Sequence, residues 1–343
     1  MKLSSLLLSS AALIVAGSAY AADLPAKKGA PAAKAATGCP AFGAGYFQIP
    51  GGETCIKFSG YVRADFGMRS ATNSTNMMNG RAQLAVDAAN NSDIGAIKSS
   101  FALNNTATGL EWANLQAGGF TAGLKYSELD FDQGTLSQQI GGSYTVNTLL
   151  YTAALGSSSL SVGVESNASA TAGSYETYRP DLVASLSTTA GPASLSIAAA
   201  STAPRSGGTT TGTEGQGYAV TALAKLNAGP ATVAVYGGYA YGASRSVAVS
   251  GDDTTDYNGS NYSKTSALGV KASLPVGNGK VNLLAGQEVT RAAADTADTT
   301  TTRYAAQYAI TVAKGLTVTP EIASSTTSSV TTNGGYLRIQ RDF

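Results

Sequence analysis

The side chains that could do chemistry in this chain are its charged groups, because the sequence contains no histidine. A Ser-His-Asp or Cys-His nucleophile and a histidine metal ligand are therefore excluded. Bases such as Arg63, Arg81 and Lys98 recur instead in stretches where residue type alternates. Such spacing suits charges that line one face of a β-sheet and act through their electric field. We expect no enzyme activity and no cofactor.

Composition narrows the class of protein further. The chain has 343 residues, 22 basic and 21 acidic, and only 13% of its residues are charged, about half the share usual in a soluble domain. A charge balance near zero argues against a nucleic-acid partner. After the N-terminus no apolar run is long enough for a spanning helix. A chain rich in Gly, Ser, Thr, Ala and Tyr with so few charges favours an all-β protein, either a secreted sandwich or a membrane barrel.

The elements that position the charges have a period of two. In residues 56–69, Phe58 and Val62 fall on one face of a strand and Lys57 and Arg63 on the other, and the strand is long enough to cross a bilayer at a tilt. The pattern predicts sixteen strands. They are 56–69, 80–90, 94–104, 109–117, 119–127, 146–155, 158–167, 178–188, 193–202, 216–227, 231–242, 264–274, 280–290, 303–313, 316–325 and 334–343.

The connections fall into two classes. Those after even-numbered strands are short, whereas most of those after odd-numbered strands are long and polar, including 243–263 and 326–333. Short turns at one end and long loops at the other are typical of outer-membrane barrels. We therefore predict a 16-stranded antiparallel transmembrane β-barrel over 56–343, in contact with outer-membrane lipid, with polar residues lining a water-filled lumen.

The bases predicted to point inward outnumber the inward acids, which favours a weak preference for anions. These bases are Arg63, Arg81, Lys98, Lys125, Arg303 and Arg338, and the acids are Asp65, Asp87, Glu165 and Glu321.

The N-terminal residues predict export. Residues 1–21 combine Lys2, an apolar core and an Ala-Tyr-Ala cleavage site, as a signal peptide does. Residues 22–55 should then form a periplasmic segment. Its two cysteines, Cys39 and Cys55, predict one disulfide in an oxidising compartment, whereas a two-thiol metal site would lack two further ligands.

Three blocks of the chain resemble the alphaproteobacterial general porins. They are Cys39–Phe47 (CPAFGAGYF), Ser59–Arg63 (SGYVR) and the closing Tyr336–Phe343 (YLRIQRDF). The resemblance implies a 16-stranded outer-membrane barrel, usually a homotrimer, for passive diffusion of small hydrophilic solutes. A terminal Phe343 on the last strand is similar to the signal that the barrel assembly machinery recognises.

The resemblance also implies that the loop after the fifth strand carries acids that face a basic wall. That loop, 128–145, offers Glu128, Asp130 and Asp132 as constriction residues. The loop is short for one that folds into a pore, so the sequence does not decide whether it enters the lumen. A second hypothesis is therefore a structural or adhesive barrel with a narrow or closed lumen, which the many small residues and the low lumen charge favour.

Overall fold

The computed structural model describes residues 37–70, 75–105, 109–131, 133–166, 179–203, 215–248 and 256–343. The signal peptide predicted at 1–21 and most of the segment 22–55 that precedes Cys39 lie outside the described residues. Contacts group Gly38–Phe343 into one compact unit. Within the described ranges, no helix is long and apolar enough to cross a membrane.

Sixteen long strands form one closed antiparallel barrel, as the alternation predicted. They are β2 (Cys55–Ser70), β3 (Thr75–Ser92), β4 (Gly95–Asn104), β5 (Leu110–Ala117), β6 (Phe120–Tyr126), β9 (Thr145–Leu155), β10 (Ser158–Glu165), β11 (Asp181–Ala190), β12 (Ala193–Thr202), β13 (Gly217–Ala228), β14 (Ala231–Tyr241), β15 (Lys264–Val276), β16 (Gly279–Arg291), β17 (Thr299–Ala313), β18 (Leu316–Thr327) and β19 (Val330–Asp342). Three two-residue strands accompany them: β1 (Phe47–Gln48), β7 (Gln133–Gly134) and β8 (Gln139–Ile140). The barrel closes where β19 pairs with β2, from Asn333 opposite Ser70 to Asp342 opposite Tyr61.

One end of the barrel carries tight turns and the other carries most of the long connections. The turn between β9 and β10 consists of Gly156 and Ser157, and Gly156 has a φ of +67°, which a residue with a Cβ rarely adopts. At the other end, the prediction of a long loop at 326–333 is wrong, because Ser328 and Ser329 alone join β18 to β19. Threonines within the predicted loop extend the two strands instead, and Thr326 bonds Thr331 across the pair at 2.9 Å.

The two faces of the barrel follow the predicted alternation. On β18, Glu321 and Ala323 are buried, whereas Ile322 between them is 70% exposed. On β13, Thr221 is buried and Val220 is exposed. The exposed face is apolar along most strands, as a surface that contacts lipid requires, and the buried face points into the lumen.

One side of the lumen is filled by a hydrophobic cluster. Many inward residues of β9 to β18 are small or aliphatic, among them Ala198, Leu223 and Ala267, and these pack with Leu129 and Ile140 of the loop between β6 and β9. The burial of these side chains stabilises the loop at roughly 25 cal/mol per Å² of apolar area. Many of the small residues that suggested a narrow or closed lumen therefore line a packed core.

The segment before the barrel is fastened to its first strand. Cys39 and Cys55 form the predicted disulfide, with their Cα atoms 6.2 Å apart. β1 pairs with the start of β2, where Phe47 lies opposite Ile56. The turn 40–42 between them begins with Pro40, whose fixed φ suits the first position of a helical turn.

Candidate functional site: the lumen wall and the inward loop

The loop between β6 and β9 turns into the lumen at its first residues. Glu165, buried on the inward face of β10, accepts a hydrogen bond from Ser127 Oγ at 2.6 Å and one from the Glu128 backbone at 2.8 Å. The Glu128 carboxylate in turn pairs with Lys125 and accepts a bond from Ser185 on β11. These bonds direct the chain away from the barrel rim and across its interior.

The tip of the loop reaches the opposite wall. The backbone N–H groups of Leu136 and Ser137 donate to the two carboxylate oxygens of Glu321 on β18, at 2.7 and 2.9 Å, and the Ser137 hydroxyl donates to the same carboxylate. Lys271 on β15 donates to the Gly134 carbonyl at 2.5 Å. Bonds to a charged acceptor are stronger than neutral ones, so Glu321 fixes the position of the tip.

Ile140 anchors the returning arm of the loop. Its side chain is fully buried against Gly269 on β15 and Gly286 on β16, which lie opposite each other in register. A Cβ on Gly269 would lie 2.7 Å from Ile140 Cδ1, and one on Gly286 would collide with the same atom. The two glycines therefore form a socket for Ile140, because any larger residue at either position would fill the space that its side chain occupies.

A second connection covers the loop. Residues 244–246 form a single 3-10 turn after β14, and Tyr236 donates to the Val247 carbonyl at 3.2 Å. The hydroxyls of Tyr144 and Ser246 lie 3.0 Å apart. Burial, with the charge of Glu165 adding to it, raises the pKa of Tyr144, so this hydroxyl stays neutral.

The opposite wall, formed by β19 and β2 to β6, keeps polar and charged side chains on its inner face. Asp65 accepts two hydrogen bonds from Arg338, at 2.6 and 3.0 Å, and its other side faces Arg63, whose Nε lies 3.3 Å away. Arg63 also lies directly opposite Arg81 in register. Like charges placed so close repel each other, and Asp65 offsets part of that repulsion.

Glu111 is the second carboxylate of this wall. It pairs with Arg81 at 2.8 Å and accepts hydrogen bonds from Gln83, Asn104 and Tyr126, at 2.6, 2.7 and 2.9 Å. Arg63, Arg81 and Arg338 thus each have a carboxylate beside them. The Nε atoms of Arg63 and Arg81 have no hydrogen-bond partner among the described residues.

The structure brings together only some of the constriction residues predicted from the sequence. Arg63, Arg81 and Arg338 form one patch of the charged wall, and Lys125 pairs with Glu128 at the root of the loop. Lys98 lies further toward the short-turn end, opposite Ala89.

Of the three other predicted residues, two are described by the structure and are not part of this patch. Arg303 on β17 pairs with the buried Glu288 and borders a cavity of about 360 Å³ beside the loop tip. Asp130 lies in the inward loop and has a polar partner, and Asp132 lies outside the described residues.

Sequence reasoning missed Glu111, Glu288 and Lys271 as lumen residues. Glu288 and Lys271 share the inward parity of their strands, so the alternation could have found them. Glu111 could not be found in that way, because it neighbours the inward Trp112 and a plain alternation sends it outward. A β-bulge between Ala102 and Leu103 shifts the register of β4 against β5 and lets Glu111 turn inward.

Comparison with known proteins places the chain in a family. A family model described as the porin subfamily matches residues 26–336, which is most of the chain.

The chain belongs to this porin family.

The porin Omp2b of Brucella suis is 34% identical over 182 residues, which cover 44% of this chain and 50% of the relative. The match thus spans about half the length of the curated relatives. The family is one of channels rather than enzymes, and no group of three or more potential metal ligands occurs in the described part of the porin.

Solved outer-membrane barrels share the fold. The channel DcaP of Acinetobacter baumannii has a TM-score of 0.68 at 15% identity, covering 84% of this porin and 97% of DcaP. The trimer form of OmpT of Vibrio cholerae has a TM-score of 0.61 at 13% identity, covering 85% of this porin and all of OmpT. These likenesses concern the barrel and confirm the predicted fold class.

Proposed function

We propose that this porin forms a water-filled channel for passive diffusion of small hydrophilic solutes and ions across the outer membrane. The observation that carries the proposal is the division of the lumen. The inward loop packs on the small and aliphatic residues of β9 to β18, whereas the wall of β19 and β2 to β6 presents charged groups. Charged side chains need water or partners, so the free passage runs along that wall.

The charged wall also supports a preference for anions. Its inward bases outnumber its inward acids. The bases are Lys57, Arg63, Arg69, Arg81, Lys98, Lys125 and Arg338, and the acids are Asp65, Asp87, Glu111 and Asp342. A passage lined by one sign of charge concentrates the opposite ion. We assign the constriction to Arg63, Arg81 and Arg338 facing the loop that starts at Glu128, with Asp130 and Asp132 on that loop, Lys125 at its root, and Lys98 and Arg303 as outlying members.

The remaining features fit an exported outer-membrane oligomer. Residues 1–21 act as the signal peptide, and 22–55 as a periplasmic segment before the barrel at 56–343. Phe343 continues β19, since its N–H and C=O both bond Gly60 at 3.1 and 3.2 Å, and we assign it as the signal for the barrel assembly machinery. A homotrimer is supported by the trimeric form of the OmpT neighbour.

Swelling of liposomes tests the channel directly. Vesicles that contain the refolded mature protein should swell in solutions of small neutral sugars, at rates that fall with sugar size, because diffusion through a water-filled pore depends on solute dimensions. Vesicles without protein and vesicles in a large dextran are the controls. Folded barrel that gives no swelling with any sugar would contradict the proposal.

A barrel with a closed lumen is the second candidate, favoured by the packed half around Ile140 and Tyr236, both fully buried. It predicts a folded, heat-modifiable protein without swelling or conductance. The two candidates therefore give opposite results in the same vesicles.

A further inference from the structure

A hairpin at the short-turn end of the barrel is fastened to the first strand by two independent links. Its arms pair through the Cys39 N–H and the Tyr46 carbonyl at 3.0 Å, and through a bridge between Gly38 and Phe47. One arm continues as β1 along β2. The other arm is tied to β2 by the disulfide to Cys55. We call residues 38–48 the mouth hairpin.

The mouth hairpin presents a tyrosine to the lumen side. Cys55 and Lys57 share the inward face of β2, whereas Phe58 faces outward. The ring of Phe47 lies 6.0 Å from that of Phe58, on the outer side. Because successive residues of a strand point to opposite faces, Tyr46 turns inward, and its ring lies 5.9 Å from Lys57 Nζ.

Opposite charges meet at the same place. Lys57 lies directly opposite Asp87 of β3 in register. Burial, with the charge of Asp87 adding to it, raises the pKa of Tyr46, which agrees with a ring beside that carboxylate. Lys57 is six residues from Arg63 along β2, a distance of about 20 Å at the rise of a β-strand. The group is therefore a separate place on the same wall.

We propose that Tyr46, Lys57 and Asp87 form a second filter at the short-turn mouth of the lumen, held in position by the Cys39–Cys55 disulfide. The inference rests on the proposed channel. A solute that passes the arginines of the charged wall leaves, or enters from the periplasm, past an aromatic face flanked by an ammonium and a carboxylate group. Cation–π attraction between Lys57 and Tyr46 keeps the ring over the passage.

Single-channel recording in a salt gradient tests the charges of the filter. Lys57→Gln should shift the reversal potential toward cation preference and Asp87→Asn toward anion preference, because each removes one charge from the wall of the passage. Lys314→Gln is the matched control, since Lys314 lies in the exposed turn after β17, and it should leave the reversal potential unchanged. Opposite shifts for the two mouth variants support the filter, and no shift for either overturns it.

The role of the hairpin needs a second set of variants. Tyr46→Ala should raise the single-channel conductance, whereas Tyr304→Ala on the exposed outer face should not. The double variant Cys39→Ser with Cys55→Ser should raise the conductance as well, and adding Tyr46→Ala to it should change nothing more, because the released ring no longer lies over the passage. Further increases on that background would contradict the positioning by the disulfide.

The two levels of the proposal fail differently. If the folded wild-type barrel opens no channel, the proposed function fails and the filter fails with it. If the wild type conducts and the mouth variants match it in conductance and reversal potential, only the filter is refuted. Heat-modifiable mobility in gels verifies that each variant is folded.

Discussion

Ile140 fastens the inward loop to the wall, and a double-mutant cycle with Gly269 measures that contact. Ile140→Ala empties a fully buried site, which costs about 2–5 kcal/mol in a core that relaxes only partly. Gly269→Ala places a Cβ 2.7 Å from Ile140 Cδ1 and 3.0 Å from Cγ2. Overpacking of this kind costs about 1–3 kcal/mol.

The two changes should compensate when combined. In the double variant, the methyl group added at position 269 has no Ile140 side chain to displace and occupies part of the emptied socket. We therefore expect its loss of stability to be smaller than the sum of the two single losses, by about 0.5–3 kcal/mol, the usual range for residues in contact.

Urea unfolding in lipid vesicles, followed by the fluorescence of Trp112, gives the free energies of unfolding. Trp112 is the single tryptophan of the chain and donates to Ser100 Oγ at 3.0 Å. Gly237→Ala on the outer face is the matched control, because its Cβ would meet no atom within 4 Å, and it should be neutral or slightly stabilising. If the loss of stability in the double variant equals the sum of the two single losses to within about 0.5 kcal/mol, the two sites are independent. That result would refute the socket.

Three further outcomes follow from the lumen. Glu321→Gln should weaken the hold on the loop tip by about 1–3 kcal/mol and increase the noise of the open channel; a quiet channel would contradict the anchoring of Leu136. Replacing Arg63 and Arg81 by Gln should shift the reversal potential toward cations, and an unchanged value would remove both residues from the passage. Ser127→Ala should lower the free energy of unfolding by about 1 kcal/mol in urea titrations. A variant that keeps its stability but changes its conductance would instead give this hydroxyl a role in shaping the passage.

The sequence predicted the barrel because lipid and β-geometry impose a simple rule. A strand that separates lipid from water alternates strictly, and the stretch from Phe58 to Phe66 shows that alternation without exception on its outer face. Element bounds were less certain where threonine occurs. Thr326 and Thr331 suit both turns and strands, and only pairing between β18 and β19 decides between these.

The path of the inward loop could not be predicted, because alternation does not reveal what an inward side chain packs against. Ala198 and Leu223 face inward in the same register as Ser185 and Ser187, so the strands alone do not separate a packed half from a solvated half. Gly269 and Gly286 indicate a contact with the loop only when the structure shows Ile140 beside them.

The alternation of residue types predicted part of the charged wall. Arg63, Arg81 and Arg338 follow the inward alternation and come together as expected. Glu111 departs from it because the bulge near Ala102 changes the register locally. Plain alternation would turn the Glu111 carboxylate toward lipid, where an unpaired charge is costly. That conflict is the one sign of the bulge in the sequence.

Single-channel current of the refolded mature protein in a planar bilayer, recorded across a salt gradient, tests the central claim most directly. Steady ohmic steps with a reversal potential that favours anions are expected, since bases predominate on the wall of β19 and β2 to β6. Folded, heat-modifiable barrel that gives no steps, or an open channel whose reversal potential favours cations, would contradict a solvated passage along that wall.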